Sequence, residues 1–166
     1  VMLVAQAKRS AELFTGEKIP DEAILKIADR VERVQKNLVL IGMPGCGKST
    51  VAAALAQALG RECCDSDLLL VQQMGQTIEA AFAQRGEAAF RDLETQLLRQ
   101  LTKRSGIVLS TGGGSVLRAE NRDLLQQNGT VIWLTRDLRK LPRAGRPLSM
   151  RHDLSAIYTQ RAPLYA

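Results

Sequence analysis

From Leu38 onward, short apolar runs alternate with longer segments whose apolar residues recur every three or four positions. That alternation is the pattern of a parallel sheet with crossover helices. The spacing predicts strands over Leu38–Gly42, Glu62–Asp65, Ile107–Thr111 and Thr130–Leu134. It predicts helices over Lys48–Leu59, Leu68–Met74, Thr77–Arg85, Glu87–Lys103 and Arg118–Gln127. Crossovers of one hand bring every strand's carboxyl end to one side, where open α/β sheets bind ligands. Asp65, Thr111 and Gly112 fall at such ends. Residues 1–36 have a different pattern and are expected to form a helical appendage or linker, with the α/β domain over 37–166. Met2 to Phe14 places Leu3, Val4, Ala7, Ala11 and Phe14 near one face, with Gly16 as the expected C-cap. Asp21 is expected to cap a second helix with apolar positions Ile24, Ile27, Val31 and Val34, and with Lys26, Arg30 and Arg33 facing water.

Composition narrows the class. The chain has 166 residues, 45% hydrophobic and only 24% charged, which suits a compact globular domain rather than a disordered one. No apolar run reaches the roughly 18 residues needed to span a bilayer. Met2 to Ala7 is too short and badly flanked for a signal peptide, so a cytoplasmic protein is expected, without membrane partners. Three cysteines, two of them adjacent (Cys63 and Cys64), make neither a disulfide framework nor a zinc spacing, and reduced thiols are expected. The net charge of +6 would suit nucleic acid or anionic small molecules. Aromatic residues are 4% of the chain, too few for a base-stacking platform, which favours small anions over nucleic acid. The lone His152 reads as a surface residue.

The chemistry concentrates in Gly42-Met43-Pro44-Gly45-Cys46-Gly47-Lys48-Ser49-Thr50, between an apolar strand and an Ala-rich helix. In G-x-x-x-x-G-K-[ST] the glycines let backbone N–H groups turn inward around phosphate oxygens, and the helix N-terminus adds its partial positive charge. Gly45 through Thr50 are therefore expected to bind a nucleoside triphosphate, Lys48 reaching its terminal phosphates and Ser49 offering its hydroxyl to Mg2+. Cys46 stands where a helix N-terminus could lower a thiol pKa, although a small residue that fits the loop is the simpler reading. Asp65-Ser66-Asp67 leaves the second strand at the same edge. One carboxylate could hold Mg2+ and the other accept the proton of an attacking hydroxyl; equally, the pair could be turn or N-cap aspartates. The run Gly112-Gly113-Gly114 allows close approach of a ligand to the backbone. Arg91 could be fixed by Glu94 one turn along its helix. Arg146-Pro147-Leu148-Ser149 and Arg161-Ala162-Pro163-Leu164-Tyr165 put arginines on shaped segments, and phosphoryl transfer calls for an arginine from a lid.

In this order, the phosphate loop, Asp65-Ser66-Asp67, Phe90-Arg91, the three glycines, Arg146-Pro147-Leu148 and Arg161-x-Pro-x-Tyr165 resemble the shikimate kinases over residues 37–166. The resemblance implies a P-loop NTPase fold of the nucleoside monophosphate kinase type, with a parallel sheet flanked by helices. It implies transfer of the ATP γ-phosphate to the 3-hydroxyl of shikimate, with Mg2+. Asp67 matches the residue that binds the shikimate hydroxyls and accepts the proton, and Asp65 the one associated with magnesium. Arg91 and Arg161 match the pair that clamps the shikimate carboxylate, with Gly112, Gly113 and Gly114 lining that pocket. Arg146 matches the lid arginine on phosphate, and Arg139 and Arg143 are further candidates for nucleotide contact. Family members continue past this point with a further strand and helix, so a C-terminal strand and helix are expected to be missing, leaving an exposed sheet edge. Residues 1–16 resemble the last helix of shikimate dehydrogenase, which implies a parent protein fusing the two enzymes. A monomer is expected. A kinase of the same fold for another hydroxy acid such as gluconate, or a regulatory P-loop domain, would share the loop; the chain has neither the Asn-Lys-x-Asp nor the Asp-x-x-Gly of a GTPase.

Overall fold

The computed structural model describes residues 2–141 and 154–166. Arg143, Arg146 with its Pro-Leu-Ser segment, and His152 lie outside the described residues. The chain divides into two compact units, Val1–Lys36 and Asn37–Ala166.

The second unit is built on four parallel strands, β1 (Asn37–Ile41), β2 (Cys63–Asp65), β3 (Val108–Ser110) and β4 (Gly129–Trp133), in the order β2-β3-β1-β4. Register pairs Leu40 with Ser110 and Ile132, and Asp65 with Ser110, so three strands end level with one another. All four predicted strands are present. Side chains alternate across the sheet. Leu40 of β1 packs with Val108 and with Ala52 and Ala56 of α3 (Lys48–Leu59) on one face. Val39 and Ile41 join the larger cluster on the other face, with Leu70, Phe90, Leu98 and Leu125. Alanines on α3 let that helix lie close to the sheet.

The remaining helices of this unit are α4 (Ser66–Met74), α5 (Ile78–Leu101), α6 (Ala119–Gln127) and α7 (Leu154–Tyr165). Helix α4 begins two residues earlier than its apolar pattern suggests, because Asp65 is its N-cap and accepts from the N–H groups of Asp67 and Leu68 at 3.0 and 3.2 Å. The segments expected as two helices, Thr77–Arg85 and Glu87–Lys103, run together as α5. Gly86, at φ 77° and ψ 165°, breaks the helical geometry at the expected join. Thr77 caps the start, its hydroxyl accepting from the N–H of Ala80.

In the first unit, α1 (Met2–Thr15) ends at Gly16, whose φ is 74° and whose N–H donates to the Glu12 carbonyl at 2.9 Å, as a left-handed C-cap does. Asp21 is not a cap. It is the first residue of α2 (Asp21–Gln35), Pro20 holds the cap position without a side-chain bond, and the Asp21 carboxylate pairs with Lys8. Of the four apolar positions on α2, Ile24 is buried, whereas Ile27, Val31 and Val34 are exposed.

Among the described residues no helix is long and apolar enough to cross a membrane. The sheet's carboxyl-end register depends on one buried side chain at its other end. Asn37 donates from its side-chain amide to the Arg104 carbonyl at 2.8 Å and accepts from the Ile107 N–H at 3.0 Å, tying the entry of β3 to β1. Replacing it leaves a buried donor unpaired. Asn37→Ala is expected to cost about 2–4 kcal/mol of stability, read as a lower denaturation midpoint at unchanged slope.

Candidate active site

The loop between β1 and α3 turns on glycines at the positions that require them. Gly42, Gly45 and Gly47 have φ of 141°, 83° and 102°, and a side chain at Gly42 would run into the Leu134 carbonyl. Gly47 is the N-cap of α3 and supplies no side chain to its first turn, the arrangement that suits an anion at a helix N-terminus. Lys48 is buried, and its Nζ donates to the carbonyls of Gly42 and Met43, each at 3.0 Å. Cys46 is buried in the core with its Sγ against Gly42, as a small loop-filling residue would be. Thr50 is exposed beside the cleft.

Ser49 and the acidic pair meet at the ends of adjacent elements. The Ser49 hydroxyl donates to Asp65 Oδ2 at 2.6 Å, while Asp65 Oδ1 caps α4. Asp65 is thus the N-cap that its sequence offered as one reading, and its second oxygen takes the hydroxyl of the loop serine. Asp67 projects from the first turn of α4 into the cleft. Burial pushes its carboxyl up to about 6, the charges of Asp65 and Glu94 add to that, and Lys48 and Arg91 pull the other way.

Across the cleft stand the two arginines. Arg91 is 7% exposed; its Nη1 donates to Glu94 Oε2 at 2.8 Å, and its Nη2 to Glu87 Oε1 at 3.1 Å. Burial disfavours its charge, but the two carboxylates more than offset this and hold the guanidinium above its ordinary value. The rings of Phe90 and Phe82 flank it at 5.5 and 5.9 Å from their centroids. Arg161 on α7 is 4% exposed, and its Nη1 donates to the Gly113 carbonyl at 3.0 Å, which the Tyr165 hydroxyl also reaches at 2.7 Å. Its Nε is buried and, among the described residues, has no hydrogen-bond partner.

The three glycines are explained by space rather than by φ. A Cβ on Gly112 would meet Asp67 Oδ1 at 2.5 Å, on Gly113 the Pro44 ring at 2.7 Å, and on Gly114 Arg91 Cζ at 2.8 Å. The Cβ directions of the three glycines are taken by the site's own side chains, while their backbone lines the cleft. The Gly112 N–H donates to Ser66 Oγ at 3.0 Å, so that donor is held within the protein.

Lys48, Ser49, Asp67, Arg91, Gly112 to Gly114 and Arg161 thus line one cleft of about 470 Å³. Asp65 reaches it through Ser49, and Cys46 lies behind the loop. Two more residues complete the site: Glu94, expected only to fix Arg91, and Arg136, which had no role from sequence. Glu94, 1% exposed, holds Arg91 with one oxygen and accepts from the Ser115 hydroxyl at 2.7 Å with the other. Its signal was the three-residue spacing from Arg91. Arg136 lines the cleft from the far end of β4, hidden in the sequence within a longer cationic stretch.

The shikimate kinase family model matches residues 44–166. This chain belongs to the shikimate kinase family. It is 44% identical over 138 residues to the shikimate kinase of Burkholderia lata, covering 78% of this chain and 75% of that protein. It is 43% identical over 144 residues to that of Cupriavidus pinatubonensis, covering 81% and 75%. Among solved structures it resembles the shikimate kinase of Acinetobacter baumannii in complex with shikimate, with 37% identity, a TM-score of 0.75 and coverage of 82% of this chain and 81% of that one. The Aquifex aeolicus shikimate kinase superposes with a TM-score of 0.63 at 29% identity, covering 78% and 81%. The sheet with its flanking helices is the P-loop fold of nucleoside monophosphate kinase type found in this family.

In this shikimate kinase family member the Asp67 environment has a cost that can be measured. Its folded carboxyl binds a proton up to about pH 6 and its unfolded one only up to the ordinary 3.8, so stability falls as pH rises through that window. Asp67→Asn removes the penalty. The variant is expected to be about 1–2 kcal/mol more stable than the parent at pH 7.5 and equal to it near pH 4, by chemical denaturation, the ceiling of about 3 being reduced by the residue's partial exposure.

Proposed function

We propose that this chain transfers the γ-phosphoryl group of ATP to the 3-hydroxyl of shikimate, giving shikimate 3-phosphate on the route to chorismate and the aromatic amino acids. The observation that carries this reading is the single cleft that Lys48 of the phosphate loop, Asp67 and the buried Arg91 line together. Donor site and acceptor site therefore share one proton acceptor. Arg91 and Arg161 are planar donors suited to a carboxylate, and Glu94 and the Gly113 carbonyl aim them before any acceptor arrives. The unpartnered Nε of Arg161 is a donor that an acceptor carboxylate would satisfy. Asp67 would bind the acceptor hydroxyl and take its proton as the oxygen attacks, and Lys48 would steady charge on the phosphates. Arg146 is assigned to the lid from its motif alone.

The donors around Ser49 fit a magnesium ion. Ser49 Oγ and Asp65 Oδ2 are hard oxygen ligands 2.6 Å apart at the phosphate loop, and Asp65 Oδ1 is held by α4, so the ion would keep waters and phosphate oxygens as its other ligands. When bound, Mg2+ neutralises phosphate charge. For residues 1–36 we favour descent from a shikimate dehydrogenase fused to the kinase, supported by their separation as a compact unit. We place the protein in the cytoplasm as a monomer.

Shikimate-dependent release of ADP, against gluconate and other hydroxy acids as controls, tests the assignment directly. Turnover should require shikimate and be absent with gluconate. The rate with respect to kcat/KM should fall about tenfold per pH unit below about 6, as Asp67 takes up its proton. In Asp67→Asn that limb should vanish and turnover should drop about 100- to 10,000-fold with ATP binding retained. Arg91→Ala should weaken shikimate binding by about 2–5 kcal/mol in calorimetry, since it removes a desolvated partner of the carboxylate and leaves Glu94 buried without its cation.

A further inference from the structure

The chain leaves β4 at Trp133 and runs without regular structure through residues 134–137. Its first residue there is pinned to the phosphate loop. The Leu134 N–H donates to the Ile41 carbonyl at 2.8 Å, and the Leu134 carbonyl occupies the space in front of Gly42. Arg136 follows two residues on, about 7 Å of extended chain from that pin. It is exposed and lines the same cleft as Lys48 and Ser49. Among the described residues it has neither a hydrogen bond nor an ion pair. The adjacent carboxylate does not neutralise it, because Asp137 caps the next turn through the Arg139 N–H at 2.9 Å and lies 3.7 Å from the Arg139 Nε.

Charge on the two sides of the cleft is uneven. On the acceptor side Arg91 and Arg161 share the cleft lining with the carboxylates Asp67, Glu79 and Glu94. On the phosphate side Lys48 donates to the Gly42 and Met43 carbonyls while Asp65 takes the Ser49 hydroxyl, and a nucleoside triphosphate brings several further negative charges. We propose that Arg136 binds the nucleotide's phosphate chain from the β4 side, as a cation additional to the phosphate loop and to any lid arginine. A guanidinium is the group that matches phosphate oxygens with two parallel hydrogen bonds, and one without a competing protein partner loses nothing when it turns to them. The inference rests on the phosphoryl-transfer reading for its donor, but not on shikimate being the acceptor.

Calorimetry on the full chain, with Mg-ADP and separately with shikimate, tests it for Arg136→Ala and Arg136→Lys. Arg136→Ala should weaken Mg-ADP about tenfold, the low end for a charged hydrogen bond at an exposed position, with shikimate affinity unchanged within about twofold. Arg136→Lys should recover part of the loss, and both variants should melt with the parent. Mg-ADP affinity within twofold of the parent overturns the proposal. So does a loss confined to shikimate, which would move Arg136 to the acceptor side. Because nucleotide binding is read without an acceptor, these outcomes stay separate from a failure of the parent to phosphorylate shikimate.

Discussion

The arrangement of this cleft depends on how a guanidinium can be kept charged at 7% exposure. Removing a cation from water costs several kcal/mol unless a carboxylate and hydrogen bonds replace the lost solvent. Glu94 is that carboxylate, one turn along the same helix, and it is itself buried, so its second oxygen needs a donor too. Ser115 supplies it from the turn that follows the three glycines. The chain of requirements reaches the backbone, because a guanidinium placed to serve Glu94 lies where a Cβ on Gly114 would stand. One buried charge thereby fixes helix α5, the glycine run and the turn after it as a unit.

Strand order does the rest. With β3 between β2 and β1, Ser66 after β2 meets Gly112 after the neighbouring β3, and Asp65 at the end of β2 reaches past β3 to Ser49 after β1. Helix α7 then closes the acceptor wall from a distant part of the chain, where Arg161 and Tyr165 converge on one carbonyl oxygen of Gly113 and Tyr165 stacks on Trp133.

Sequence carried the parts of this that are local. The strand and helix alternation, the phosphate loop and the Arg91 to Glu94 spacing were legible because each is written within a few residues. The capping role of Asp65 was legible only as one of two alternatives, since a cap and a metal ligand use the same residue type, and the fold shows the cap on one oxygen and the Ser49 hydroxyl on the other. The glycine run was read as room for a ligand and does line the cleft, but its lack of side chains also makes room for Pro44, Asp67 and Arg91, three neighbours that sequence distance hides. Asp21 misled for a related reason: a favourable capping residue lost its place to Pro20 once its carboxylate met Lys8, thirteen residues away. Arg136 could not be separated from its cationic neighbours until β4 placed it on the cleft.

The crowding of carboxylates around Asp67 looks like a defect in packing and is consistent with a requirement of the chemistry. Asp65 and Glu94 both raise the proton affinity of Asp67, and burial raises it further, whereas the cations Lys48 and Arg91 limit the rise to about 6. A carboxylate at its ordinary value would be ionised but a weak proton acceptor, and one raised well above neutrality would be a strong acceptor that is already protonated. Between those limits the group is ionised at neutral pH and has the greater basicity. The same cations that restrain Asp67 belong to the donor and acceptor sides, so binding at either side would draw on them and release part of that restraint, raising the basicity of Asp67 when both ligands are in place.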